Sequence, residues 1–159
     1  MSASIDYTGR TVDLLIFQNV KESGNRLVAM SFGESGYVCT GIQKVAQTWT
    51  ALFMTDLGSM LNKPTRGSTF LPAVRRGRIQ VEQDIPAEFA LAAEQVRRTM
   101  ELDVANYNKT LELDERLDEA ILLDFDLFRE QSLLRLKIRL KSLAGDTRVV
   151  YLPVPVPIR

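Results

Sequence analysis

Five carboxylates, Glu112, Asp114, Glu115, Asp118 and Glu119, crowd one short stretch of the chain. Paired carboxylates can cleave a glycosidic bond, one as general acid and the other as base or nucleophile. That chemistry needs two carboxyl groups in different surroundings, one of them apolar. The sequence offers no apolar pocket around any of the five, so the segment reads as solvated or partner-facing. Other reagents fail on spacing or on a missing partner. The chain has no histidine, which removes a Ser-His-Asp triad, a Cys-His dyad and every His-containing metal site. Ser59 and Ser68 follow glycine but lie in no G-x-S-x-G elbow. Gly58 to Thr65 holds a lysine without phosphate-loop spacing. No acidic loop has calcium-ligand spacing. Arg75, Arg76 and Arg78 could meet phosphates, yet no aromatic residues are interleaved with them. The expectation is no catalytic residue, no metal and no cofactor.

A chain of 159 residues is long enough for one sizeable core, and it is expected to form a single domain. No apolar run suggests a membrane span, and Met1 to Arg10 does not read as a secretory signal. Cys39 is the only cysteine, which excludes an internal disulfide and fits a reducing cytoplasm. Net charge is zero, so neither nucleic acid nor an acidic membrane is expected as partner. The charges are segregated, however. Pro64 to Arg78 holds four arginines and no acid, whereas Glu112 to Glu130 holds eight acids against Arg116 and Arg129. Such patches on a neutral chain suit protein–protein complementarity.

The elements that would position these groups form an α+β pattern. Thr11 to Phe17 and Arg26 to Phe32 read as strands around a Glu22–Asn25 turn, an N-terminal β-hairpin within residues 1–40, with Tyr37 to Cys39 continuing the sheet. Ile42, Val45, Trp49, Leu52 and Phe53 share one face of a helix over about 41–55. Trp49 lies on that stripe and is expected in the core. Leu52 to Gly77 then reads as a defined irregular loop, because Gly58, Gly67, Pro64 and Pro72 punctuate it. Its apolar residues (Leu57, Met60, Leu61, Phe70, Leu71 and Val74) predict that it packs against the body or a partner. Phe89, Ala93, Val96, Met100, Val104 and Tyr107 define a second helix over about 87–107. Ala120 to Phe128, Leu134 to Leu140 and Val150 to Val156 follow with period-2 alternation, a three-stranded antiparallel meander. Asp124 and Asp126 are expected across from Arg135, Lys137 and Arg139.

Pro153, Pro155 and Pro157 alternate with Leu152, Val154 and Val156. All three prolines lack the N–H on one edge, so the last strand can pair on the other edge only. That serves either to block aggregation or to dock the tail, with Val154 and Val156 facing a sheet of this chain or of a partner.

The order of these features resembles the small baseplate wedge proteins, or sheath initiators, of contractile phage tails and related injection machines. The family pattern runs from a helix into Leu-x-Thr-x-x-Gly, matched loosely by Leu52 to Gly58. A Pro-x-x-Gly-(Ser/Thr) segment follows, matched by Pro64, Gly67 and Ser68. A long helix then leads to a Glu-Pro-Arg-(Ile/Val) motif that opens a strand meander. Asp114, Glu115, Arg116 and Leu117 stand at that place, with Asp114 for Glu and Glu115 for Pro. The resemblance covers about residues 41–156 and leaves the hairpin as an elaboration. It implies a non-enzymatic building block of the virion baseplate, made in the bacterial host cytoplasm. Its implied partners are larger wedge proteins, the tail sheath protein, and tube or hub proteins, with six copies around the tail axis. Within the family the Glu-Pro-Arg segment faces the wedge subunits, which implies that role for Arg116 with Asp114 beside it. Some relatives carry a lysozyme-like label.

Three readings stand at this point: an assembly component, a glycan-cleaving enzyme using the paired carboxylates, and a small binding module sharing the layout. Stable complexes with tail proteins favour the first. Cleavage of cell-wall glycan lost on changing Asp114, Glu115 or Glu119 favours the second. Isolated binding of one peptide or ligand favours the third.

Overall fold

The computed structural model describes residues 8–15, 38–79, 81–106 and 110–157. Strands β1 (Asp13–Leu14) and β2 (Val38–Cys39) pair antiparallel near the N-terminus. Phe17 and the expected strand from Arg26 to Phe32 lie outside the described residues. Helices α1 (Gly41–Phe53), α2 (Phe70–Arg75) and α3 (Asp84–Asn106) follow. The chain closes with β3 (Leu117–Phe128), β4 (Leu133–Ser142) and β5 (Thr147–Pro155), an antiparallel sheet in the order β3-β4-β5. The α+β pattern read from the sequence is the observed one.

The core lies between the helices and one face of this sheet. Val45, Trp49, Leu52 and Phe53 of α1 meet Ile85, Phe89 and Val96 of α3 over Leu134, Leu136, Ile138 and Leu140 of β4. Trp49 is fully buried and stacks on Phe53 with ring centroids 4.6 Å apart. Phe53 in turn contacts Phe70 and Phe89. Offset and tilted ring contacts of this kind add about 0.5–1.5 kcal/mol each beyond burial.

Three local expectations need correction. The stretch read as an irregular loop ends in α2, because Pro72 falls in a first helical turn, where a missing N–H costs little. Its apolar residues divide: Phe70 and Val74 are in the core with Leu71 against it, as expected, whereas Leu57 and Met60 are exposed and Leu61 is 99% accessible. The third helix starts at Asp84, three residues early, where the Asp84 carboxylate accepts the Val81 N–H. It ends at Asn106, and Tyr107 lies outside the described residues.

The meander is as expected except in β3, which begins at Leu117 and has two register shifts. Asp118 and Leu123 are the extra residues of the two bulges. Leu123 consequently leaves the inward set and is exposed, while Leu122, Phe125 and Leu127 pack on the core. Asp124 sits opposite Lys137 and Asp126 opposite Arg135. The opposed charges do not form ion pairs. Arg135 lies over the Phe128 ring and Lys137 over the Tyr151 ring, while Asp124 accepts the Phe125 N–H.

The loop before α2 is fastened by Gly67 and Ser68. The Ser68 hydroxyl donates to the Phe53 carbonyl at 2.7 Å and accepts the Phe70 N–H. The Ser68 N–H bonds the Thr55 carbonyl, and the Ser68 carbonyl accepts the Leu57 N–H. Arg75 and Asp56 pair across the same loop. Gly67 has φ +112°, and a Cβ there would lie 2.6 Å from the Thr55 carbonyl oxygen. Both the dihedral and the space therefore require glycine.

On α3, Arg97 and Arg98 hold the Glu94 carboxyl down at about 2, chiefly through their hydrogen bonds. A depressed carboxyl contributes stability that is present above its unfolded value near 4.5 and lost as pH falls towards 2. The group is solvent-exposed, so screening keeps that contribution below about 1 kcal/mol.

Gly67→Ala is expected to destabilise the fold by about 1–3 kcal/mol, lowering the thermal midpoint by roughly 2–4 °C per kcal/mol for a chain of this size. A calorimetric scan checks it. An unchanged midpoint would mean that the loop relaxes around a side chain.

Candidate functional site

The motif residues gather where the N-terminal segment, the start of α1 and the entry to β3 meet. Leu113 to Glu115 form a single 3-10 turn, and Arg116 leads into β3. Glu115 is only 4% exposed. Its carboxylate accepts hydrogen bonds from the Thr11 N–H at 3.1 Å, the Thr11 hydroxyl at 3.0 Å and the Thr40 hydroxyl at 2.8 Å. Thr40 is the residue before α1. One side chain thus ties together three segments that are far apart in sequence. Lys44 of α1 also donates to the Thr11 hydroxyl, and Gln47 donates to the Leu14 carbonyl at 2.7 Å.

Asp114 pairs with Arg10 at 2.9 Å. Gly41, at φ +61°, opens α1 directly against it: a Cβ there would be 2.9 Å from the Asp114 carboxylate. Asp118 and Glu119 both approach the Lys141 ammonium, at 3.0 and 3.8 Å. That arrangement raises the Lys141 pKa, mainly through the Asp118 hydrogen bond. Four of the five carboxylates singled out in the sequence are therefore engaged by this chain's own donors. Glu112 is exposed.

Arg116 is half-buried, and no carboxylate pairs with it among the described residues. Its carbonyl accepts the Leu143 N–H, which fastens the motif to the β4–β5 turn. Its side chain lines a cleft of about 410 Å³ bounded by α1, α3, the loop and the residues before β3. Leu117 is buried in the core at the cleft floor.

The loop motif forms the far wall of this cleft. Pro64 is exposed at the second position of a turn in which the Arg66 N–H bonds the Lys63 carbonyl at 3.0 Å. Pro64 and Gly67 thus shape the backbone that carries Lys63 and Arg66 into the cleft wall. Arg66 pairs with Asp103 of α3 at 2.9 Å.

Val154 and Val156 are elsewhere. Val154 is wholly buried, and Val156 packs against the same core. The Val156 N–H donates to the Ser132 carbonyl at 2.8 Å. The bonding edge of β5 is consumed by β4 of the same chain, so Val154 is a core residue and the Val156 backbone is already bonded within the sheet region. Pro153 and Pro155 are exposed on the outer edge. Of the two readings of the proline alternation, the tail docks on its own sheet, and Pro153 and Pro155 remove the outward N–H groups from the last part of β5.

The opposite edge differs. The bonds from Val156 and Ser142 direct the even residues of β4 towards β5. Their partners in β3 (Ala120, Leu122, Phe125 and Leu127) therefore turn their backbone groups away from β4. No further strand lies beside β3 among the described residues. The Phe125 N–H is taken by Asp124, whereas no backbone partner beyond the sheet bonds Ala120, Leu122 or Leu127 among the described residues.

Sequence reading missed Glu115 as an internal acceptor and Ser68 as the pin of the loop. Both act through contacts distant in sequence. The sole available signal was a polar residue beside a glycine, or in a charged run, at a place where the chain must turn.

No family model matches the chain, and no curated protein matches it.

Glu115→Ala is expected to leave the Thr11 and Thr40 donors unsatisfied and to cost about 1–3 kcal/mol. Urea unfolding checks the loss, and limited proteolysis should show earlier cleavage near Thr11. Stability equal to the parent's would mean that Glu115 does not hold the N-terminal segment.

Proposed function

We propose that the protein is a structural component of a contractile-tail baseplate, joining larger wedge subunits and presenting the surface on which the first sheath subunits assemble. The resemblance in motif order suggests the class. The observation that carries the proposal is the asymmetry of the sheet. Among the described residues one outer edge, at β5, carries Pro153 and Pro155, and the other, at β3, has no strand beside it and directs the Ala120, Leu122 and Leu127 backbone groups outward. Edge strands of this kind are ordinarily protected. Leaving one open and sealing the other suits a single incoming strand in a single orientation.

Arg116 supports the wedge half of the proposal. It is held by the backbone of its own turn, half-buried and paired with no carboxylate among the described residues. An arginine in that state offers two parallel donors to a partner's carboxylate or carbonyl groups. The segment meets its wedge partners through Arg116, while Asp114 and Glu115 keep the turn in shape. The virion baseplate is the proposed location, with six copies following from the sixfold tail.

Co-expression with the neighbouring tail proteins, followed by size exclusion and negative-stain imaging, tests this directly. A stable complex with wedge-type subunits is expected. Arg116→Ala should weaken that complex by about 2–5 kcal/mol if its partner charge is buried. Ala120→Pro removes one outward N–H of β3 in the manner of β5. It should leave wedge binding intact and prevent sheath addition. A monomer indifferent to every tail protein would overturn the proposal.

A further inference from the structure

The cleft beside Arg116 has a composition that the fold itself does not explain. Five basic side chains reach it from four parts of the chain: Lys44 of α1, Lys63 and Arg66 of the loop, Arg97 of α3, and Arg116. Three carboxylates accompany them, fewer than the five cations, and each already has a partner in this chain. Asp103 pairs with Arg66 and Glu101 with Arg97, while Glu115 accepts from Thr11 and Thr40. The Arg66 Nε is buried and makes no hydrogen bond. Arg116 has no carboxylate partner among the described residues. A buried donor without an acceptor is costly, and native structures keep such a group where an acceptor from outside the chain completes it.

Between the cations the floor is apolar, formed by Val45, Met100, Val104 and Leu117. A free inorganic anion would use the donors and waste this floor. A nucleic acid would ask for aromatic stacking surfaces, and no aromatic side chain lines the cleft among the described residues. A short peptide segment with an acidic side chain flanked by aliphatic ones uses both parts.

We infer that this cleft is a docking site for an acidic, leucine-rich segment of a partner protein, whose carboxylate is gripped between Arg116 and Arg66 while its aliphatic neighbours cover Met100 and Val104. The inference rests on the assembly reading only for the occupant being a protein. It adds which chemistry the partner must present and that the loop, as well as the Arg116 turn, contacts it. The pinning of the loop by Ser68 and Gly67 then has a recognition role, since it fixes Arg66 opposite Arg116.

The test uses the full chain, labelled for NMR, and a capped peptide of alternating leucine and glutamate. Glutamine and lysine counterparts serve as controls, with inorganic phosphate and a short single-stranded oligonucleotide as competing ligands. Expected are saturable shifts at the Arg66 and Arg116 side-chain N–H groups and at the Met100 and Val104 methyl groups. Arg116→Gln should weaken binding by about tenfold, as for loss of one charge-assisted pair. Arg139→Gln, in β4 outside the cleft, should leave it unchanged. Met100→Glu, which places a carboxylate in the cleft, should abolish binding without depending on the Arg116 fold. No cleft shift at millimolar peptide, equal shifts with the glutamine counterpart, or tighter binding of phosphate or oligonucleotide would each overturn the inference. Peptide binding without any tail-protein complex would sustain it and sink the baseplate proposal. A wedge complex unaffected by Met100→Glu would do the reverse.

Discussion

The arrangement depends first on a buried carboxylate. Glu115 has almost no access to solvent, and its acceptor capacity is met by Thr11 and Thr40. Removing a carboxylate from water is costly unless such donors are supplied. The position of the N-terminal segment, the start of α1 and the turn before β3 are consequently one problem with one solution. Gly41 completes it, because only a residue without a Cβ lets α1 begin against Asp114. Arg116 follows directly in sequence, and its orientation into the cleft is set by a turn that its neighbours have already fixed.

A second constraint acts from the opposite wall. Ser68 caps the end of α1 through the Phe53 carbonyl, and Gly67 passes too close to the backbone of Thr55 and Asp56 to carry a side chain. The loop is held by backbone bonds, whereas its apolar residues Leu57, Met60 and Leu61 face outward. The two walls are therefore rigid for unrelated local reasons, and the cleft between them is preorganised. Preorganised sites avoid part of the entropic cost of binding, which suits a protein whose proposed work is to hold partners.

Much of this fold was legible because periodicity reports burial. The stripe through Val45, Trp49 and Leu52 gave α1. The spacing of Phe89, Ala93, Val96 and Met100 gave α3, and strict alternation from Leu134 to Leu140 gave β4. The proline alternation also carried its edge logic correctly, since the bonding direction of a strand follows from residue parity alone. What stayed hidden depends on contacts distant in sequence. The bulges at Asp118 and Leu123 break parity only where β3 meets its partner. Glu115 looked like one more acid in a charged run, until Thr11 and Thr40 arrived beside it. The sequence lets Val154 and Val156 face a sheet of this chain or of a partner, and only the position of β4 decides between the two. At the site, Arg116 was identified through a motif, whereas Arg66 as its counterpart across the cleft requires the folded loop.

Hydrogen exchange of the whole chain, alone and mixed with the neighbouring wedge and sheath proteins, tests the proposed role most directly. If the protein works by docking, slowed exchange should appear at the Ala120, Leu122 and Leu127 amides with sheath protein. With wedge protein it should appear around Lys63 to Arg66 and Glu115 to Leu117. Exchange identical in the presence and absence of every tail protein would contradict it.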